Sequence, residues 1–213
     1  MQISFFQRVI NVIISSSTDF KKNFVDYDYL LLSEGFSYKK HYLIKTTEGN
    51  YLHLTGISTS LTPTDFFKKC LNGSIQISDI ENNPEDVTKL YYKGLIRKKI
   101  QVLSEMSKGI DNTYLLEENF TKNRVSCSIA SANSNLTLGF VSNGNKEIPM
   151  SLLKGNLITP REACNIDFML RTETNKNNFD CLVIGNSHQF KKHLHKNEYL
   201  EELINGNIKE CIK

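Results

Sequence analysis

A chain of 213 residues with 39% hydrophobic and 10% aromatic content is long enough for one sizeable core and too apolar to be disordered. Its formal net charge of +3 excludes wholesale electrostatic capture of an anionic polymer, so any such affinity must come from a local patch. The five cysteines, Cys70, Cys127, Cys164, Cys181 and Cys211, are odd in number and form no C-x-x-C pair, which removes the zinc and dithiol redox motifs and suits reduced thiols in a cytoplasm.

The N-terminal ISFFQRVINVII brings Phe5, Phe6, Val9, Ile10 and Ile13 together at helical spacing. It is shorter than the ~20 apolar residues of a membrane span, and it predicts an amphipathic helix within 1–20 that docks on a core. Three apolar stretches follow, DYLLLSEG, HYLIKTTEGN and YLHLTGI, divided by turn residues as in an antiparallel meander. As a strand, YLHLTG would turn Leu52 and Leu54 to one face and His53 to the other.

TPTDFFKKCLNGSI predicts a short helix opened by Thr62-Pro63 and stopped by Asn72-Gly73, with Phe66, Phe67, Cys70 and Leu71 inward. A longer helix is predicted from near Pro84 to Gly109, with Tyr92, Ile96, Ile100, Leu103 and Met106 along one face. Strand patterns then return in TYLLEE, RVSCSIAS, NLTLGFV, CNIDFMLRTE and FDCLVIG, and the tail over 195–213 is helical in pattern. Helices ahead of a predominantly antiparallel sheet define a single α+β domain over 1–213. In NLTLGFV, Leu136, Leu138 and Phe140 share a face and Asn135, Thr137 and Gly139 the other. With helices on the first face, the second is predicted to stay open and to hold His53.

Taken in order, YLHLTGI, DFFKKCLNGSIQISDI, IRKKIQVLSEM, ASANSNLTLGFV, IPMSLLKGN, IDFMLRTE and FDCLVIG resemble a phage- and prophage-associated family of predicted nucleases. That family is grouped with barnase, EndoU, the tRNA-cleaving colicins and RelE as the BECR fold, and the similarity is to its fourth phage-associated branch. It covers roughly residues 51–185, the nuclease-like region. The resemblance implies N-terminal helices packed on an antiparallel sheet whose open face holds RNA. It also implies a metal-independent endoribonuclease of phage, toxin or mobile-element conflict, at work in the cytoplasm of a host bacterial cell. RNA is the implied substrate, and an antitoxin or immunity protein an implied partner. His53, Ser131, Ser134, Thr137 and Ser151 stand at matching family positions.

Cleaving RNA without a metal uses the substrate's own 2′-hydroxyl as nucleophile and needs a proton acceptor, a proton donor and charge stabilisation at phosphorus. His53 is the candidate acid or base, because an imidazole titrates near working pH, and Thr137 and Ser151 are grouped with it as catalytic candidates. Lys89, Lys93 and Arg97, at four-residue steps, with Lys98 adjacent, form a candidate phosphate stripe, to which Ser131 and Ser134 add hydroxyl donors. Each assignment competes with a plainer one: a surface histidine bracing a sheet, a solvated helix face, and hydroxyls in ordinary turns. His188, His193 and His195 form no ligand set, and no Walker loop or G-x-S-x-G elbow is present, so no metal and no cofactor is expected. No membrane partner is expected either. A non-catalytic module that binds nucleic acid or a host protein is the alternative function. An ADP-ribosyltransferase-like or other small-ligand enzyme is a third, which thermal stabilisation by a nucleotide would favour.

Overall fold

Ser4 starts the first helix, α1 (Phe5–Phe20), its hydroxyl accepting from the Gln7 backbone N–H as an N-cap does. The computed structural model describes residues 4–81, 89–110, 115–122, 124–194 and 198–210. Val9, Ile10, Ile13, Ser16, Ser17 and Phe20 form the buried face of α1, at the three- and four-residue steps of one helical side. A π-helical turn, Lys21–Val25, leads into β1 (Tyr27–Leu32), which pairs antiparallel with β2 (Tyr42–Ile44).

The segment that follows departs from the meander. Asn50–Thr55 is a helix, α2, and not a third strand. Tyr51, Leu54 and Thr55 are buried together, an i, i+3, i+4 pattern that the short Leu52/Leu54 alternation concealed. Tyr51 donates its hydroxyl to the Ile13 carbonyl at 2.7 Å, tying α2 to α1. Gly56, at φ 70°, ends the helix in the left-handed conformation that favours glycine.

Next comes α3 (Pro63–Leu71), capped by Thr62 and opened by proline as the sequence predicts, with Phe66, Phe67 and Cys70 buried. After α4 (Ser78–Glu81), α5 (Lys89–Met106) buries Ile96, Val102, Leu103 and Met106. The predicted start near Pro84 and the Tyr92 side chain lie outside the described residues. Then follow β3 (Leu115–Glu118), the small hairpin β4 (Thr121–Lys122) and β5 (Val125–Ser126), β6 (Ile129–Ala132), β7 (Leu136–Asn143), β8 (Lys146–Lys154), β9 (Ala163–Asn165), β10 (Phe168–Glu173) and β11 (Phe179–Ile184).

The helix α6 (Ser187–Leu194) precedes the predicted helical tail, and within 195–213 the described residues are helical only over α7 (Glu198–Glu201). Beyond them β12 (Ile204–Glu210) is a strand, because β11 offers it a parallel edge. Ten strands form one sheet in the order β12-β11-β10-β1-β2-β8-β7-β6-β3-β9, antiparallel except at β2/β8 and β11/β12. With its N-terminal helices, this is the predicted α+β architecture.

The main core lies between one sheet face and α1, α2, α3 and α5. A second cluster joins Leu30, Leu32, Phe168 and Leu170 to Phe190 and Leu200 of α6 and α7. A third, of Phe120, Cys127 and Ala130 with Leu153 and Leu157 packed against it, covers the side of β7 away from the main core. The face expected to be open is therefore closed. Thr137 is fully buried, and a side chain at Gly139 would stand 2.4 Å from the Cys127 sulfur. The cysteines also differ from expectation, since Cys181 is disulfide-bonded while Cys70, Cys127 and Cys164 are free.

Candidate functional site

One irregularity in β7 and β8 positions a buried carboxylate, that of Glu147. Gly139 pairs with Ser151 but Phe140 pairs with Pro149, so Met150 is an extra residue in β8. Such a bulge reverses the side-chain alternation beyond it. Ser151 lies on the face of Gly139, whereas Glu147, opposite Ser142, lies on the face of Phe140 and the main core. Pro149 has no N–H to lose from a ladder, which suits it to this break.

Glu147 is 1% exposed, and its carboxylate is surrounded by donors. Lys39 approaches Oε1 at 2.6 Å, the Ser142 hydroxyl donates to the same oxygen at 2.8 Å, and the Ser128 hydroxyl donates to Oε2. A buried carboxylate is tolerated when it is paired and hydrogen-bonded in this way. The Lys39 ammonium also lies 5.2 Å from the Tyr42 ring centroid and stays partly open to solvent.

Lys39 belongs to the connection between β1 and β2, and the carboxylate of Glu118, at the end of β3, shapes that connection. It accepts the backbone N–H of Ser37 at 2.6 Å, of Tyr38 at 3.2 Å and of Lys39 at 3.4 Å, and the Tyr42 hydroxyl donates to it as well. Burial and the bond to Glu118 push the Tyr42 hydroxyl well above its ordinary value, so it acts as a donor and not as a phenolate. His41 follows in the same segment, half-buried. Burial, and then the neighbouring Lys39 ammonium, hold its imidazole below the usual 6.5. At neutral pH the site thus offers an uncharged imidazole beside a lysine ammonium that is tied to a buried carboxylate.

The residues singled out in the sequence do not form one group. His53 is exposed on α2, and its backbone carbonyl accepts from Lys99 at 2.6 Å. Thr137 and Ser151 lie on the opposite, hairpin-covered face. Thr137 donates to the Gly155 carbonyl at 2.8 Å and accepts the Leu157 N–H at 2.9 Å, while Ser151 is hydrogen-bonded to the Cys127 thiol. Ser131 pairs with Leu138 on the helix-side face and is fully buried. Ser134 is exposed and lines a cleft of about 380 Å³ with Gln101, Glu105, Asn135 and Lys154.

In the basic stripe, Lys93 rests over the Phe6 ring at 5.2 Å and Arg97 over Phe5 at 5.7 Å, and Lys98 is exposed. The Lys89 side chain lies outside the described residues. Sequence reasoning passed over Lys39, His41, Glu118 and Glu147. The signal for Glu147 was Pro149 inside a strand, which marks a bulge or an edge; His41 and Lys39 carried none, because their partners lie far along the chain.

Among the described residues no group of three or more His, Cys, Asp or Glu side chains stands in metal-holding geometry, and no helix is long and apolar enough to cross a membrane. No curated protein and no solved structure matches the chain. A family model does match, over residues 13–205, and its description is phage-Barnase-EndoU-ColicinE5/D-RelE like nuclease4. That span takes in the buried face of α1 from Ile13 onward, the whole Lys39–Glu147 group and the buried residues of the second core cluster, and the chain belongs to this BECR-fold nuclease family.

Proposed function

We propose that the protein is an endoribonuclease that cleaves RNA through the substrate's 2′-hydroxyl, with His41, Lys39 and Glu147 as its working group. Membership of a nuclease family supplies the reaction class. The observation that carries the finer reading is the pairing of a half-buried His41, held below its ordinary value, with the partly exposed Lys39 ammonium fixed to Glu147 at 2.6 Å.

In this reading the neutral His41 imidazole takes the 2′-hydroxyl proton as that oxygen attacks phosphorus. The bond from phosphorus to the 5′-oxygen breaks, that oxygen takes a proton from solvent, and the His41 imidazolium later returns its own proton to solvent, leaving a 2′,3′-cyclic phosphate and a 5′-hydroxyl. Lys39 meets the charge that builds on the phosphate oxygens. Glu147 touches no substrate; it fixes where the ammonium stands. Lys93, Arg97 and Lys98 are offered as a secondary contact for the RNA backbone, with cytoplasmic action in a phage or toxin setting and an antitoxin or immunity partner as parts of the same proposal. His53, exposed on another element, is the comparator for the acid-base role.

The test incubates purified wild-type, His41→Ala, Lys39→Ala and His53→Ala proteins with total cellular RNA in EDTA and reads fragments and end groups on denaturing gels. Discrete fragments with 2′,3′-cyclic ends from wild type and His53→Ala, and none from folded His41→Ala, support the reading. Loss with His53→Ala alone returns the acid-base role to that residue. Binding of RNA without product by all four proteins favours the non-catalytic module.

A further inference from the structure

We propose that Glu118 is a positioning residue for the nuclease site: its carboxylate moulds residues 37–39 through their backbone N–H groups and thereby sets where Lys39 and His41 stand. The inference rests on the reading of Lys39 and His41 as the working group, and it adds a residue that contacts neither the reacting atoms nor Glu147.

Glu118 Oε2 accepts from Ser37 N at 2.6 Å and Oε1 from Tyr38 N at 3.2 Å, with a weaker contact from Lys39 N at 3.4 Å. Three successive amides thus converge on one carboxylate, whose two oxygens have lone pairs enough to accept all of them. The Tyr42 hydroxyl closes the other side of Oε1, and the Tyr42 ring packs edge-on against Phe36 at 4.9 Å. The segment is therefore gripped at Phe36, at 37–39 and at Tyr42, and His41 sits between the last two grips. These residues meet only through folding, since Glu118 is 76 to 81 positions from the groups it binds.

Charge on the clamp matters for a physical reason. A carboxylate has lone pairs for every donor that reaches it, whereas a glutamine keeps a single acceptor oxygen and turns an N–H₂ toward the others. Glu118→Gln thus holds the loop in part, and Glu118→Ala releases it. A shift of about 1 Å in a catalytic group is enough to cost up to ~100-fold in rate.

Two measurements test this. Amide hydrogen exchange on Glu118→Ala is expected to show lost protection at Ser37 and Tyr38, with protection in β6 and β7 unchanged; retained protection at both amides overturns the clamp whether or not RNA is cut. Kinetics on a defined RNA are expected to give a fall in kcat of about tenfold or more for Glu118→Ala with KM within about threefold, and an intermediate kcat for Glu118→Gln. A folded Glu118→Ala enzyme with wild-type kcat overturns the positioning role. If Glu118→Ala does not fold, Tyr42→Phe removes one grip and keeps the ring. It is expected to raise exchange at 37–38 and lower kcat in the same direction, and no change in either overturns the proposal. His41→Ala in the same assay separates the two ideas, because full activity there sinks the site itself, while a dead His41→Ala beside an active Glu118→Ala sinks only the clamp.

Discussion

Lys39 and Glu147 form an ion pair at 2.6 Å in which the lysine side chain is 41% exposed and the glutamate 1%. The two partners are therefore not equivalent. Removing the lysine leaves a buried carboxylate with only two serine hydroxyls to offset its charge, whereas removing the glutamate leaves an ammonium that water reaches, an exposed Ser142, and a Ser128 that still has the Phe140 carbonyl as acceptor. Lys39→Ala is expected to destabilise the fold by about 3 kcal/mol, as an uncompensated buried charge does. Glu147→Ala is expected to cost less, about 1–2 kcal/mol, because the charge it leaves is solvated. Urea denaturation of both variants checks the order, and a larger loss for Glu147→Ala contradicts it.

His41 gives the site a pH signature. Its folded value lies below the ordinary 6.5, so between the two values the unfolded chain binds more protons than the folded one. Stability from this group is fully present above about 6.5 and is lost as pH falls through the folded value. Charged groups acting on the imidazole include Lys39 on its own segment, with Glu147 and Glu118 reaching that segment from β8 and β3. His41→Gln is expected to flatten the decline in stability below pH 6.5, and cleavage by the wild type is expected to persist to lower pH than an ordinary histidine base permits. Thermal melts across pH 4.5–8 check the first, a kcat profile the second.

Much of this was legible in the sequence where one physical signal decided the outcome. Thr62-Pro63 opens α3 as predicted, and the inward faces of α1 and α3 follow from residue spacing. The sequence misled at α2, where six residues are too few to separate a period of 2 from one of 3.6. It misled again at β12, which is a strand because β11 is beside it and not because of its own pattern. Strand parity placed Thr137 correctly opposite Leu136 and Leu138, but nothing local foretold that Phe120 and Cys127 would fold over it. The proposed working group was hidden for a related reason. It joins the β1–β2 connection to the ends of β3 and β8, and the bulge at Met150 changes which face Glu147 occupies.

Lys99 and Gly56 explain why His53 sits where it does. Lys99 runs beneath the end of α2 and donates to the His53 carbonyl, as lysines near helix C-termini do. Burial lowers it from 10.5 to about 8, so the unfolded chain holds the proton more tightly and stability is expected to rise as pH climbs from about 8 to 10.5. Lys99→Met should abolish that rise. Gly56→Ala combines a left-handed φ of 70° with a Cβ 2.8 Å from Lys99 Cδ, and is expected to destabilise by about 1–2 kcal/mol. His53→Ala should alter neither stability nor cleavage, because Lys99 bonds to the His53 backbone and the side chain is exposed. Denaturation at pH 7 and pH 10 separates these three variants.

Thr137 supplies the sharpest contrast between a family position and a structural one. Its hydroxyl spends both capacities on the turn after β8, donating to Gly155 O and accepting from Leu157 N, with no exposure to solvent. Thr137→Val keeps the shape and removes both bonds, leaving a carbonyl and an N–H short of a partner at a largely dry position. The expected cost is about 2 kcal/mol, read by urea denaturation, with loosened exchange at Leu157. If Thr137 acts only on that turn, kcat per folded molecule stays at the wild-type value even as the melting temperature drops. A fall in kcat with stability intact would instead give Thr137 a role in the reaction, and would require the hairpin β4–β5 to move aside for substrate to reach it.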